Sequence, residues 1–308
     1  MNSENYNGLN EVIISNASKN IRVGVLPDYG GALNRFEVLI DGHYLNLIDG
    51  YSSIEETNRH RFKGVCLAPF PNRIKDGKFE SNGVSYQLDC NDKFDHAMHG
   101  FVYNKEMSYL LYETSIELDD DYDGQISGYP FPFQLQIIYR LKDKGFEQEI
   151  QLTNKSNQSI PIGLGWHPYF SDLGIGVDHL KMKMPNAKKV IVDERKIPTG
   201  EQIDFNQYEE LKPIGNVEVD HCFIVNRKPT PALELNYPKY DFSLSLSIDG
   251  PNDKENYIQL YIPKERNAIA IEPMTCAPDA FNNGVGLVTL APTATYKWTS
   301  RWEIENKK

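Results

Sequence analysis

Apolar residues in this chain alternate with polar ones and almost never recur at helical spacing, a pattern that restricts the fold more than any other feature. The run Phe242-Ser-Leu244-Ser-Leu246-Ser-Ile248 puts its apolar side chains on one face of an extended strand and its serines on the other. Phe133 to Leu141 and Phe146 to Thr153 alternate in the same way around Lys142-Asp-Lys-Gly145, which reads as a hairpin. These are expected to be half-buried antiparallel strands. Eighteen prolines and 22 glycines interrupt the sequence at short intervals, and only Asn206 to Leu211 has the spacing for a short helix. So many strands in one unit have to hide their edges by closing or by stacking. The expected fold class is mainly β, a large antiparallel β-sandwich. No linker, composition shift or repeat at a fixed period of about 20 to 50 residues breaks the chain, so residues 1–308 are read as one domain.

Composition removes several function classes. The apolar share of 40% and charged share of 24% are ordinary for a soluble globular protein. The 32 basic and 43 acidic residues leave a net charge of -11 spread along the chain, which argues against nucleic acid and for a neutral or cationic small ligand. No apolar run is long enough to span a bilayer, so no membrane association is expected. The first twenty residues lack the basic and apolar regions of a signal peptide, and a cytoplasmic location is the expectation. Cys66, Cys90, Cys222 and Cys276 lie far apart with no C-x-x-C pair, so they read as isolated small hydrophobes. The sequons at Asn16, Asn154 and Asn157 carry no weight without a secretory signal.

Phosphate and serine-nucleophile chemistry find no motif. The nearest glycine loop, Gly163-Leu-Gly165-Trp-His-Pro168, has proline where a third glycine would stand, and no G-x-S-x-G elbow occurs. Polar residues set in apolar surroundings say more, because burying them costs free energy unless they are paired or used. Four segments have this character. They are Pro69-Phe-Pro-Asn72-Arg73-Ile, Asp95-His96-Ala-Met-His99-Gly100-Phe101, Gly163-Leu-Gly-Trp166-His167-Pro-Tyr-Phe170 and Ile269-Ala-Ile-Glu272-Pro-Met-Thr275. Each residue has an ordinary reading beside the functional one. His167 suits a core histidine bonded to a carbonyl, Glu272 a strand-end ion pair, Arg73 a surface arginine, and Asp220 in Val219-Asp-His-Cys a turn or cap. Asp95, His96 and His99 carry metal-binding residue types, but H-x-x-H on a turn points its rings apart, and no metal is expected.

Taken together, these segments resemble the aldose 1-epimerase (mutarotase) family, in which an N-R-I loop, an H-G-F segment, an H-P-Y-F segment, a D-x-C-F segment and an E-P-M-T segment follow one another in this order. All five are present, and the resemblance runs from the glycine pair Gly30-Gly31 to Phe281-Asn282. It implies a β-supersandwich, no cofactor, and interconversion of the α and β anomers of a free hexose such as glucose or galactose. By position, His167 is similar to the catalytic acid and Glu272 to the catalytic base. His99 is similar to the second histidine near the ring oxygen. Arg73, Asp220 and Gln259 resemble the hydroxyl-binding residues, with Asn72 a further one of this kind. The 12 residues between Gln259 and Glu272 are fewer than in members with a long insertion there, and His96 has no counterpart and is taken as structural.

Opening a hemiacetal removes a proton from the anomeric hydroxyl and delivers one to the ring oxygen, so one base and one acid suffice. With ordinary values of about 4.3 for Glu and about 6.5 for His, a carboxylate and an imidazolium are expected to coexist near neutral pH. Trp166, Phe101 and Tyr169 are available as apolar faces for the sugar, with core packing expected for at least one of them. Sharing one sugar also makes a demand on strand register. Gln259 has to stand opposite Glu272, with Pro263 opposite Ala268 across the loop 264–267, because a slip by one residue would turn the two side chains to opposite faces. Two rival readings stay open, a glycosidase using Glu272 and Asp220, and a sugar-binding module without turnover. A sugar phosphate as substrate, and a monomer as against a homodimer, are also open.

Overall fold

The computed structural model describes residues 2–59, 62–225, 231–250 and 256–306. Every ladder between its strands is antiparallel, and the strands gather mainly into a nine-stranded, an eight-stranded and a five-stranded sheet. The nine-stranded sheet is centred on Gly145–Asn154, Thr295–Asn306 and Phe242–Asp249. The eight-stranded sheet runs from Pro198–Phe205 through Ala187–Val192, Asp220–Val225, Asn256–Tyr261 and Ala268–Met274 to Gly165–Trp166 and Cys66–Leu67. The expected mainly β, antiparallel architecture is what the chain adopts. Among the described residues no helix is long and apolar enough to cross a membrane.

The two large sheets meet through aromatic side chains. Trp166 and Phe170 of the eight-stranded sheet pack on Trp302 of the nine-stranded one, with ring centroids 5.8 and 4.5 Å apart, and Phe146 meets Trp166 at 5.9 Å. All four are fully buried, and such pairs contribute about 0.5 to 1.5 kcal/mol each beyond the area they hide. Trp166 is therefore a core residue. Its indole N–H donates to the Gly64 carbonyl at 2.8 Å, so its polar atom costs nothing in that setting.

The hairpin around Lys142-Asp-Lys-Gly145 forms as expected, with Lys142 opposite Gly145 and the ladder continuing to Phe133 and Asn154. Two expectations need correction. Phe242–Asp249 lies between two other strands with its serine face covered as well: Ser243 and Ser245 are buried. The serine hydroxyls make this tolerable, since Ser243 donates to Glu234 at 2.6 Å and accepts from the Asn236 amide at 3.0 Å. Asn206 to Leu211 is a turn, anchored by buried Tyr208, whose hydroxyl donates to the Ile214 carbonyl at 2.9 Å. Helix is found instead at Ile54–Arg59 and Ala280–Asn283. The four cysteines are free, with Cys66, Cys222 and Cys276 buried.

Candidate active site

Register places the site on one face of the eight-stranded sheet. Partners in an antiparallel ladder point the same way, so Cys222, Gln259 and Glu272 form one row across three strands. Asp220, Tyr261, Ala270 and Tyr169 form the next row on the same face. The small side chains of Cys222 and Ala270 leave space among larger polar neighbours. Gln259 stands opposite Glu272, as the sharing of one sugar demands.

His167 follows Trp166, and the strand geometry that sends the indole into the core sends the imidazole to the other side. Its backbone is held at both ends, N–H to the Val65 carbonyl at 3.1 Å and carbonyl to the Gly64 N–H at 2.8 Å. Tyr169 stacks on the ring at 5.0 Å and 10°, and Phe62 lies nearly parallel to it at 6.4 Å. His167 Nε2 comes within 3.4 Å of Glu272 Oε1. Both groups are buried, and His167 Nδ1 and Glu272 Oε2 are without a hydrogen-bond partner. Burial disfavours charge on each. It pushes the His167 imidazole down to about 3, and it pushes the Glu272 carboxyl well above the usual carboxylate range, with Asp220 adding to the rise. This corrects the expectation of an imidazolium beside a carboxylate: desolvation favours the neutral imidazole and the carboxylic acid. Both arrangements hold one proton between the two groups.

The N-R-I and H-G-F segments pair with each other, Arg73 opposite Met98 and Ile74 opposite Ala97. Asn72 and His99 both adopt left-handed backbone angles, φ 54° and 65°. Gly100 continues the bend at φ 65°, where a Cβ would collide with the Ala68 carbonyl oxygen. This bend brings His99 to His167, ring centroids 5.2 Å apart. The His99 ring accepts the Asn72 N–H at Nδ1, 3.2 Å away, which leaves Nε2 as its protonated, donating nitrogen. Donor atoms of His99, His167 and Glu272 all lie within 4.8 Å of one another, as in a metal site. The His99 tautomer does not suit one, because its only ring lone pair already serves Asn72.

Hydrogen bonds join the remaining candidates. The Asn72 amide donates to Gln259 Oε1 at 3.3 Å, and Gln259 Nε2 donates to Asp220 Oδ1 at 3.0 Å. Asn72 Oδ1 accepts the Arg73 N–H at 3.0 Å and Arg73 Nη1 at 3.4 Å. Thus His167, Glu272, His99, Asn72, Arg73, Gln259 and Asp220 are brought together. Phe101 is not among them, since it packs on Tyr122, Tyr129 and Phe133. His96 also stands apart from His99, bonded to the Asp76 N–H and the Arg195 carbonyl. A cavity of about 550 Å³ lined by Val38, Asp143, Lys144 and Tyr240 lies apart from these residues, so chemistry rather than cavity size locates the site.

Sequence reasoning missed several members. Asp92 accepts Arg73 Nε at 2.7 Å and the backbone N–H groups of Phe94 and His96 at 2.9 Å, yet in Asn91-Asp-Lys it reads as an ordinary turn residue. Burial alone would push its carboxyl up; the Arg73 hydrogen bond and the two N–H groups outweigh that and hold it below the usual range. Phe62, in a basic stretch, packs on His99 at 4.8 Å. Lys196, 3.0 Å from Asp220 Oδ2, sits in a distant hairpin tip with no local signal.

The family model for aldose 1-epimerase matches residues 14–303. The Escherichia coli protein YihR is 30% identical over 236 residues, covering 74% of each chain. A maltose epimerase of Levilactobacillus brevis is 25% identical over 98% of this chain and 97% of its own. The crystal structure of an aldose epimerase homologue from C. elegans superposes with a TM-score of 0.84 at 20% identity, covering 97% of this chain and all of that one (100%).

Proposed function

The chain belongs to the aldose 1-epimerase family, a family of isomerases, and from that premise we propose that it interconverts the α and β anomers of a free aldose, a hexose such as glucose or galactose. The observation that carries this reading is the buried His167–Glu272 contact of 3.4 Å, one acid and one base sharing one proton. In the charged form of the pair, Glu272 takes the proton of the anomeric hydroxyl, the bond between C1 and the ring oxygen breaks, and His167 protonates that oxygen. The pair is then neutral, the form that burial favours, and faces an open-chain aldehyde. Rotation about C1–C2 presents the other face of the carbonyl, and closure returns both protons. Proton count is conserved and no cofactor is needed.

The other residues have roles that follow from their donors and acceptors. His99, donating through Nε2, suits the ring-oxygen side. Arg73, Asn72, Gln259 and Asp220 suit the hydroxyls that stay fixed while C1 turns, because their amide orientations are set by one another. Tyr169 suits the apolar face of the sugar, since its ring already covers His167. Against the glycosidase reading stands the state of Asp220, whose two oxygens are engaged by Gln259 and Lys196.

Polarimetry tests the proposal. Freshly dissolved α-glucose, α-galactose, maltose and other aldoses are expected to reach equilibrium rotation faster with the protein than without it for at least one sugar. Unchanged rates across the panel, in folded protein, would overturn it, and sugar binding without acceleration would point to the binding-module alternative.

A further inference from the structure

His96 is a buried histidine that the acid–base chemistry leaves unused; its relative exposure is 0%. Its Nδ1 accepts the Asp76 N–H at 2.9 Å, which makes Nε2 the protonated nitrogen, and Nε2 donates to the Arg195 carbonyl at 3.1 Å. Arg195 lies at the tip of the hairpin formed by Ala187–Val192 and Pro198–Phe205. Its guanidinium reaches Asp76 Oδ1 at 2.6 Å and the Phe94 carbonyl at 2.8 Å. Within the tip, Asp193 Oδ1 accepts the N–H groups of Arg195 and Ile197, and Lys196 adopts φ 67°. The tip is therefore tied to the stretch 72–99, which carries Asn72, Arg73 and His99.

This tie delivers Lys196 to Asp220. The Lys196 ammonium is 3.0 Å from Asp220 Oδ2, while Asp220 Oδ1 accepts from Gln259. The Glu272 side chain is 2% exposed, that of Asp220 40% and that of Lys196 30%, so Asp220 and Lys196 lie nearer solvent than the buried acid–base pair. An ammonium brings three donors, one of them engaged by Asp220. A sugar hydroxyl is donor and acceptor at once, so a neighbouring ammonium and carboxylate match both halves of it.

Resting on the reading of this site as an aldose site, we infer that Lys196 is a further substrate-binding residue that sets specificity. With Asp220 it clamps a hydroxyl at the end of the sugar away from C1. His96 and Arg195 are positioning residues that hold the hairpin tip in place for this contact.

The test is steady-state polarimetry with Lys196→Met, Lys196→Arg and Arg195→Ala, on the best aldose and its singly deoxygenated analogues. Lys196→Met is expected to raise KM by about tenfold or more, the range for a hydrogen bond to a charged group, with kcat within about threefold. Lys196→Arg restores most of the loss, and Arg195→Ala, on an exposed side chain, raises KM by less. For one deoxy sugar, the one lacking the clamped hydroxyl, wild type and Lys196→Met have equal KM. An unchanged KM in Lys196→Met, or the same KM ratio for every deoxy sugar, overturns the inference while the wild type stays active. A wild type that turns over no aldose overturns the reading of the site itself, and this inference with it.

Discussion

Gln259 lies directly opposite Glu272 in the pair formed by Asn256–Tyr261 and Ala268–Met274, and its amide bridges Asn72 to Asp220. The ladder ends with Tyr261 opposite Ala270, and the Arg266 N–H closes the connecting loop on the Pro263 carbonyl at 3.0 Å. One residue of slip would send Gln259 into the core and leave Asn72 and Asp220 without the group that connects them. Removing the amide should have a similar local effect. Gln259→Leu is expected to raise KM by about tenfold or more, because buried Asn72 loses its acceptor at a cost of about 1 to 3 kcal/mol and the hydroxyl-binding groups lose their alignment. Saturation curves by polarimetry check this, and an unchanged KM would remove Gln259 from the site.

Glu272→Gln and His167→Asn are each expected to lower kcat by at least about a hundredfold, the low end for a positioned acid or base. Glu272→Gln keeps the shape of the side chain and His167→Asn keeps a polar group on a smaller one, so circular dichroism should stay close to that of the wild type. His96→Asn is expected to leave kcat nearly unchanged, since its ring is bonded to the Asp76 N–H and the Arg195 carbonyl, apart from His167 and Glu272. A loss of kcat in His96→Asn equal to that in His167→Asn would mean that the acid has been misassigned.

Asp92 is expected to act on substrate through Arg73. Asp92→Asn keeps an oxygen for the Phe94 and His96 N–H groups but gives up the charge facing Arg73 Nε. Freed from its 2.7 Å partner, Arg73 loses its fixed orientation, and KM should rise about tenfold with a smaller change in kcat. Equal losses in kcat and Tm without a KM effect would mark Asp92 as structural only.

What the sequence made legible follows from the range of each signal. Strand alternation is local, so the hairpin at Lys142–Gly145 could be read directly, whereas the register of Gln259 against Glu272 followed only from the demand that both reach one sugar. The five ordered segments contain His167, Glu272, His99, Asn72, Arg73 and Asp220, whereas Gln259 lies outside them. Asp92 and Lys196 stayed hidden because their meaning lies in contacts with Arg73 and Asp220, which only the folded chain creates. Neither pattern nor resemblance revealed that burial would neutralise the His167–Glu272 pair, since that depends on the walls around it. Trp166 and His167 are neighbours in sequence and part to opposite sides of one strand, a distinction that composition cannot make.

The shared proton makes a prediction about stability against pH. Burial lowers the folded value of His167 from 6.5 to about 3 and raises that of Glu272 from 4.5, so the folded pair holds one proton across a wide range. Between about pH 3 and 4.5 the unfolded chain holds two protons on these groups and the folded one holds one, so stability rises with pH. Above 4.5 the unfolded carboxyl gives up its proton while the folded one keeps it, so both states hold one and the rise stops. The slope of the rise is at most about 1.4 kcal/mol per pH unit, one proton's worth. The difference in unfolding free energy between wild type and the double variant His167→Asn/Glu272→Gln should therefore rise between about pH 3 and 4.5 and level off just above 4.5. Denaturant titrations across pH measure it, and nitrogen NMR of the His167 ring near pH 6 should show a neutral imidazole. A difference that does not vary with pH would mean that the pair keeps its ordinary values and that burial does not control the proton.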